Sequence, residues 1–120
     1  MIFSKVLKSV NDPSLAKEIT DFVEEGMNEL RFDWSSAAQR DSFIGILEDY
    51  IQDVGFGKDS PTMDQFKIIC DKRNNKTLDT TNGKYHLDIE YKQRNCFNVT
   101  KIMYTIKLSQ GPSMNMDPPF

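Results

Sequence analysis

Ile2, Phe3, Val6, Leu7 and Val10 recur at helical spacing, which predicts a short amphipathic helix at the start of the chain. Asp12 followed by Pro13 predicts an N-cap with proline at the first helical position. A second helix over roughly 13–31 follows, with Leu15, Ile19, Phe22, Val23, Met27 and Leu30 on one stripe and alternating charge on the other face. Ser36 with Gln39 fits a capping box, with Ser35 as a competing cap. The helix it opens should run to about Asp53, facing Phe43, Ile44, Leu47, Tyr50, Ile51 and Val54 inward, and Gly55 should end it.

From Asp64 the period changes from helical to alternating. Residues 65–70 read as a short strand with Phe66, Ile68 and Cys70 on one face. Residues 85–91 alternate cleanly, with Leu87, Ile89 and Tyr91 opposite His86, Asp88 and Glu90. A last strand over 97–108 keeps Ile102, Tyr104, Ile106 and Leu108 in phase. Phe97 and Val99 fall out of phase, which predicts a bulge or face switch near Lys101. Helices first and strands afterwards give an α+β domain over 1–108, with N-terminal helices on one face of a small, mainly antiparallel sheet. Residues 109–120, rich in Pro, Ser and Met, read as a flexible tail.

Composition narrows the function classes. With 38% hydrophobic and 28% charged residues, the 120-residue chain is a globular rather than a disordered sequence. The net charge is −3 with both signs interspersed, so no basic face is dedicated to nucleic acid. No segment has the length or apolarity of a membrane span or the pattern of a signal peptide. The glycosylation patterns at Asn75 and Asn98 therefore carry no weight, and Cys70 and Cys96 read as free thiols of a reducing compartment.

Candidate chemistry is sparse. His86 is the chain's one histidine and falls on the polar side of its strand without a nucleophile beside it in sequence. Cys70 could meet Cys96 across neighbouring strands, but a zinc site would need further ligands. The run from Asp71 to Asp79 has Lys72 and Arg73 where a calcium loop needs oxygen ligands. Asp71, Asp88 and Glu90 are the acids a metal-dependent nuclease could use, although paired acids on a solvated strand face are common without such a role. The reading is of no enzyme, no metal and no cofactor. Asp71, Asn74, Asn75, Asp79, Asn82 and Gly83 are instead turn-forming residues that end one strand and start the next.

The stretch FKIICDKRNNKTLDTTNGKYHLDIEY, with FDWSSAAQRDSFIGILEDYIQDV before it and KQRNCFNVTKIMYTIKL after it, resembles the C-terminal domain of contractile-tail sheath proteins of myophages and related injection machines. The shared features are a helix, a strand ending in Cys70-Asp71, the Asn74-Asn75 turn with Asp79 beyond it, a second strand, a polar corner and a last alternating strand. They span about residues 32–108. The family has a proline before the corner arginine, where this chain has Gln93 before Arg94. The resemblance implies a virion structural protein, assembled in the host cytoplasm. It would be a minimal sheath-like, neck or tail-ring subunit that pairs with itself and with other tail proteins. In that family, terminal arms of neighbours add strands to the sheet. Phe97, Val99, Ile102, Tyr104, Ile106 and Leu108, with Met114, Met116 and Phe120 of the tail, would then be the assembly strand and arm. The strand over 97–108 reads equally as an ordinary central strand. A small adaptor or chaperone binding one protein partner is the alternative function.

Overall fold

The computed structural model describes residues 2–29, 33–57 and 61–108. In chain order the elements are β1 (Ile2–Lys8), α1 (Pro13–Glu29), α2 (Ala37–Phe56), β2 (Met63–Ile69), α3 (Thr77–Thr81), β3 (Lys84–Gln93) and β4 (Val99–Lys107). The class is α+β: among the described residues there are three helices and one four-stranded sheet in the order β1-β4-β3-β2, antiparallel throughout. The expected tail 109–120, including Met114, Met116 and Phe120, lies outside the described residues.

The first element corrects the sequence reading, because residues 2–8 form a strand and not a helix. Apolar residues at 2, 3, 6 and 7 fit one helical face, yet so short a helix is marginal without tertiary support. The free edge of β4 offers a ladder instead, and Ile2–Lys8 pair along it with Ile2 opposite Lys107 and Lys8 opposite Lys101. Phe3, Lys5 and Leu7 thereby share a face with Ile106, Tyr104 and Ile102, while Ile2, Ser4, Val6 and Lys8 turn to the other side.

α1 begins as the sequence predicts. The Asp12 carboxylate accepts from the Ser14 and Leu15 amides at 2.9 and 3.4 Å, satisfying N–H groups that have no partner within the helix. At α2, Ser36 accepts from the Gln39 amide at 3.3 Å, but the return half of the box is absent. The Gln39 side chain reaches past Ser36 to accept from the Asp33 amide at 2.6 Å. α2 also passes Gly55 and runs to Phe56, where the Gly57 amide closes it on the Asp53 carbonyl at 3.0 Å. Gly55 is a contact glycine: a Cβ there would lie 2.7 Å from the Met63 sulfur, so its bareness lets β2 approach α2.

One apolar cluster joins Leu15, Ile19, Val23 and Met27 of α1, Phe43, Leu47 and Ile51 of α2, and one face of the sheet. That sheet face is built from Tyr85, Leu87, Ile89 and Tyr91 of β3 and Ile102, Tyr104 and Ile106 of β4. Trp34, in the turn before α2, is fully buried with them and meets Phe43 edge-on. β4 needs no bulge: its register with β3 runs unbroken from Lys84 opposite Lys107 to Lys92 opposite Val99. Val99 opens the strand on the face away from the core, and Thr100, buried, takes the core-facing position and donates to the Ser9 carbonyl at 2.8 Å. Ile102, Tyr104 and Ile106 face the core in the phase the sequence predicts, and Phe97 belongs to the turn before the strand.

Candidate functional site

The segment between β2 and β3 is where the sequence concentrates its candidate chemistry, and its side chains are occupied in building the sheet. β2 stops at Ile69, opposite Asp88, which leaves the β3 backbone at His86 without a neighbouring strand. The Asn75 side chain fills that place. Its amide donates to the His86 carbonyl at 2.9 Å, and its oxygen accepts from the His86 N–H at 2.7 Å. One side-chain amide thus stands in for the next peptide of the missing strand. Asn74 ties the end of β2 down in the same way, donating to the Ile69 carbonyl at 2.8 Å and to Asp88 at 3.0 Å while accepting from the Asp71 amide at 3.1 Å.

Asp71 and Arg73 close the turn on themselves. The carboxylate accepts from the Arg73 amide at 2.9 Å and pairs with its guanidinium at 2.7 Å. The Arg73 side chain, then its amide, hold the Asp71 carboxyl down at about 2. The polar run then adds one helical turn, α3, within what its sequence predicts to be a plain connection. Asn82 caps it by donating to the Leu78 carbonyl at 3.0 Å. Gly83 follows at φ 74°, the left-handed conformation that glycine adopts without a Cβ penalty, and its carbonyl accepts from the Leu108 amide at 2.9 Å.

Three groups meet here that sequence spacing did not bring together. His86 Nε2 lies 3.7 Å from Asp79 of α3, and its Nδ1 lies 3.5 Å from the Thr105 hydroxyl on β4. The order acid, imidazole, hydroxyl resembles a hydrolytic relay, but both distances exceed the roughly 2.6–3.2 Å over which such a relay passes protons. The cluster lies on the open face of the sheet, where β3 and β4 place His86 opposite Thr105.

A cavity of about 550 Å³ lies on the helix side of the same loop, between Ser35, Arg40, Asp41, Cys70, Lys72, Thr77 and Tyr85. Arg40 roofs it, stacked 5.1 Å over the Tyr85 ring and donating to the Trp34 carbonyl. Burial pushes the Cys70 thiol up to about 11 against the opposing pull of Arg40, so it stays protonated and weakly nucleophilic at neutral pH. Arg40 and Lys72 line the cavity together with Asp41 and Asp71, so neither charge sign prevails. Cys70 and Cys96 are both free, and they do not meet. Cys70 follows the β2 end opposite Asp88, whereas Cys96 lies beyond the Gln93 end of β3, opposite Met63. Among the described residues no group of three His, Cys, Asp or Glu side chains could hold a metal ion, and no helix is long and apolar enough to cross a membrane.

The expected assembly strand sits differently from the way an exchangeable strand should. β4 is central, with β1 on one side and β3 on the other, so Ile102, Tyr104 and Ile106 lie between two paired strands, while Val99 pairs with Lys92 of β3 alone. Of the two sequence readings, the central strand is the one observed. Phe97 is 100% exposed at the turn before β4, and Leu108 is half-buried against the core just after it. Among the described residues the unpaired edges are those of β1 and β2. β1 carries Ile2 and Val6 on the open face at 66% and 54% exposure, and no backbone hydrogen bond among the described residues reaches its outer edge. The signal for this edge was present in the sequence as β-branched Ile2 and Val6, four apart, but helical spacing masked it.

Lys5 anchors β1 to the helical layer. Its ammonium lies 2.5 Å from Glu24 of α1, which also accepts from the Tyr104 hydroxyl at 2.9 Å. Phe3 adds an edge-to-face contact with the Tyr104 ring. Burial, and then the bond to Glu24, raise the Tyr104 hydroxyl far above its ordinary range, so it remains a donor at any physiological pH. Comparison with protein-family models, with curated proteins and with solved structures finds no match.

Proposed function

We propose that this chain is a non-enzymatic structural subunit that assembles by strand addition at the β1 edge, in the setting its sequence resembles: a sheath-like tail or neck component of a virion, forming rings or helical arrays with itself and with other tail proteins. The observation that carries the reading is the β1 edge, seven residues long with exposed Ile2 and Val6 and a row of backbone donors and acceptors that no strand among the described residues fills. Such an edge is a template for another strand unless it is guarded. The loop residues that could have suggested catalysis are engaged in holding β2 and β3, which leaves them structural work. An extended segment of a neighbouring subunit would satisfy the edge while Ile2 and Val6 set its register.

The test is the composition of purified tailed particles from cells that express the chain. Multiple copies per particle, lost when Leu7→Pro removes an outward-facing N–H of the edge, support the reading. A particle that assembles fully and lacks the protein overturns it. The adaptor alternative is favoured by a different feature, the acidic groove of Asp21, Glu24, Glu25 and Asn28 on α1, which suits a basic partner. Under that reading, charge reversal at Asp21 and Glu25 abolishes partner capture and β1 substitutions leave it unchanged.

A further inference from the structure

The two edges of the described sheet differ in regularity. β2 carries a register irregularity between Met63 and Gln65, which discourages edge-to-edge pairing. β1 has an unbroken register over all seven residues and presents Ile2 and Val6 to solvent on the face away from the helices. Resting on the reading of β1 as the assembly edge, we infer that β1 pairs with β1 of a second copy of this chain, antiparallel across a two-fold axis at Ser4, joining two four-stranded sheets into one of eight.

Symmetry and charge together select Ser4. Two identical antiparallel strands related by a two-fold axis perpendicular to the sheet must pair residues of the same face, so a residue and not a gap lies at the centre. For five or more paired residues that centre is Ser4, Lys5 or Val6. A Lys5 centre sets Lys5 against its own copy and Lys8 against Ile2, and like charges directly opposite destabilise a pair. A Val6 centre sets Ser4 against Lys8 and leaves Ile2 in solvent. A Ser4 centre places a small side chain at the axis and sets Ile2 against Val6 of the second copy, twice, on the open face. On the helix face it sets Phe3 against Lys5, whose stem and ammonium can cover the ring while it remains bonded to Glu24. The two most exposed apolar residues of the strand are thereby buried against each other.

A single shared strand pair falls below the roughly 1,200 Å² of standard interfaces, so the dimer forms and dissociates with concentration. It occupies the same edge that assembly would use. Unassembled subunits therefore hold a self-blocked edge that a neighbour in the particle has to displace.

Single cysteines locate the axis. With Cys70→Ser and Cys96→Ser as background, Ser4→Cys, Lys5→Cys and Val6→Cys are compared with Phe97→Cys, a fully exposed control for random collision. Residues directly opposite in antiparallel strands lie about 4.5–5.5 Å apart at Cα, within disulfide range. In a glutathione buffer followed by a non-reducing gel, Ser4→Cys should form covalent dimer about 10-fold faster than Phe97→Cys, because its effective concentration is intramolecular. Adding Val6→Lys should return it to the control rate. Cross-linking at Ser4 no faster than at Phe97, or slower than at Lys5 or Val6, overturns the inference. Particle composition is measured separately, so a chain found in particles without Ser4 cross-links sinks the dimer and leaves the assembly reading standing.

Discussion

Asn75 offers the sharpest test of whether the β2–β3 loop is structural. Asn75→Ala removes the two bonds by which its side chain pairs with the His86 backbone, at 2.7 and 2.9 Å, and leaves the N–H of a half-buried strand residue without that partner and its C=O with only the long 3.4 Å bond from Asn74. Two ordinary intramolecular bonds contribute about 1 kcal/mol each, and stranding a buried group costs about 1–3 kcal/mol. Water reaches a half-buried backbone in part, so the expected loss is about 2–3 kcal/mol. Asn75→Asp should lose at least as much, since it keeps the acceptor for the His86 N–H but turns a second oxygen against the His86 carbonyl. The assay is urea unfolding followed by the fluorescence of Trp34, the chain's one tryptophan, which is fully buried. The midpoint should fall with the m-value unchanged. Exposed Thr77→Ala beside it should shift stability by less than about 0.5 kcal/mol. If Asn75→Ala falls within that same band, the side chain does not stand in for a strand and the reasoning fails.

Four further outcomes follow from the packing and the charges. Gly55→Ala should destabilise by about 1 kcal/mol or more despite its better helix propensity, because its Cβ meets the Met63 sulfur at 2.7 Å and overpacking exceeds the propensity gain; a rise in the urea midpoint would refute this. Glu24→Gln should weaken the hold on β1 by removing the charged partner of Lys5, seen as faster hydrogen exchange at residues 2–8 than at β3. Arg73→Ala should raise the Asp71 carboxyl from about 2 toward its ordinary 3.8 by carbon NMR titration, stopping short because the residue-73 amide still donates. A depressed carboxyl lends stability that is present above its unfolded value and lost as pH falls through its folded one, so this contribution disappears between about pH 4 and 2. At the alkaline end the signs reverse. Cys70, raised to about 11, and Tyr50 and Tyr91, raised to about 12, favour the fold below their ordinary values near 9 and 10, and that contribution is lost as pH climbs through 11–12. An unfolding transition complete below pH 9 would contradict it.

The elements with strong internal periodicity could be read directly from the chain. The stripe of α1, its Asp12 cap and the alternation of Leu87, Ile89 and Tyr91 are local patterns, and local patterns decide an element when its partner only has to be apolar. The turn residues from Asp71 to Gly83 were also identifiable as turn-formers, because their side chains bond to nearby backbone. That Asn75 would bond to His86, eleven residues on, was not identifiable, since it depends on where β2 ends.

Tertiary structure decided the rest. Residues 2–8 are a strand because β4 had an edge to fill, and no property of those seven residues alone outweighs their helical spacing. Gly55 reads as a helix stop in sequence and is a contact glycine in space, a difference made by Met63 on another element. β4 passed from candidate arm to central strand by the same event, since β1 covers the side it would otherwise have offered. The sequence by itself determined which segments carry an apolar face and which must turn. Which strand ends up unpaired was settled only by long-range pairing, because edge and centre differ in their neighbours and not in their residues.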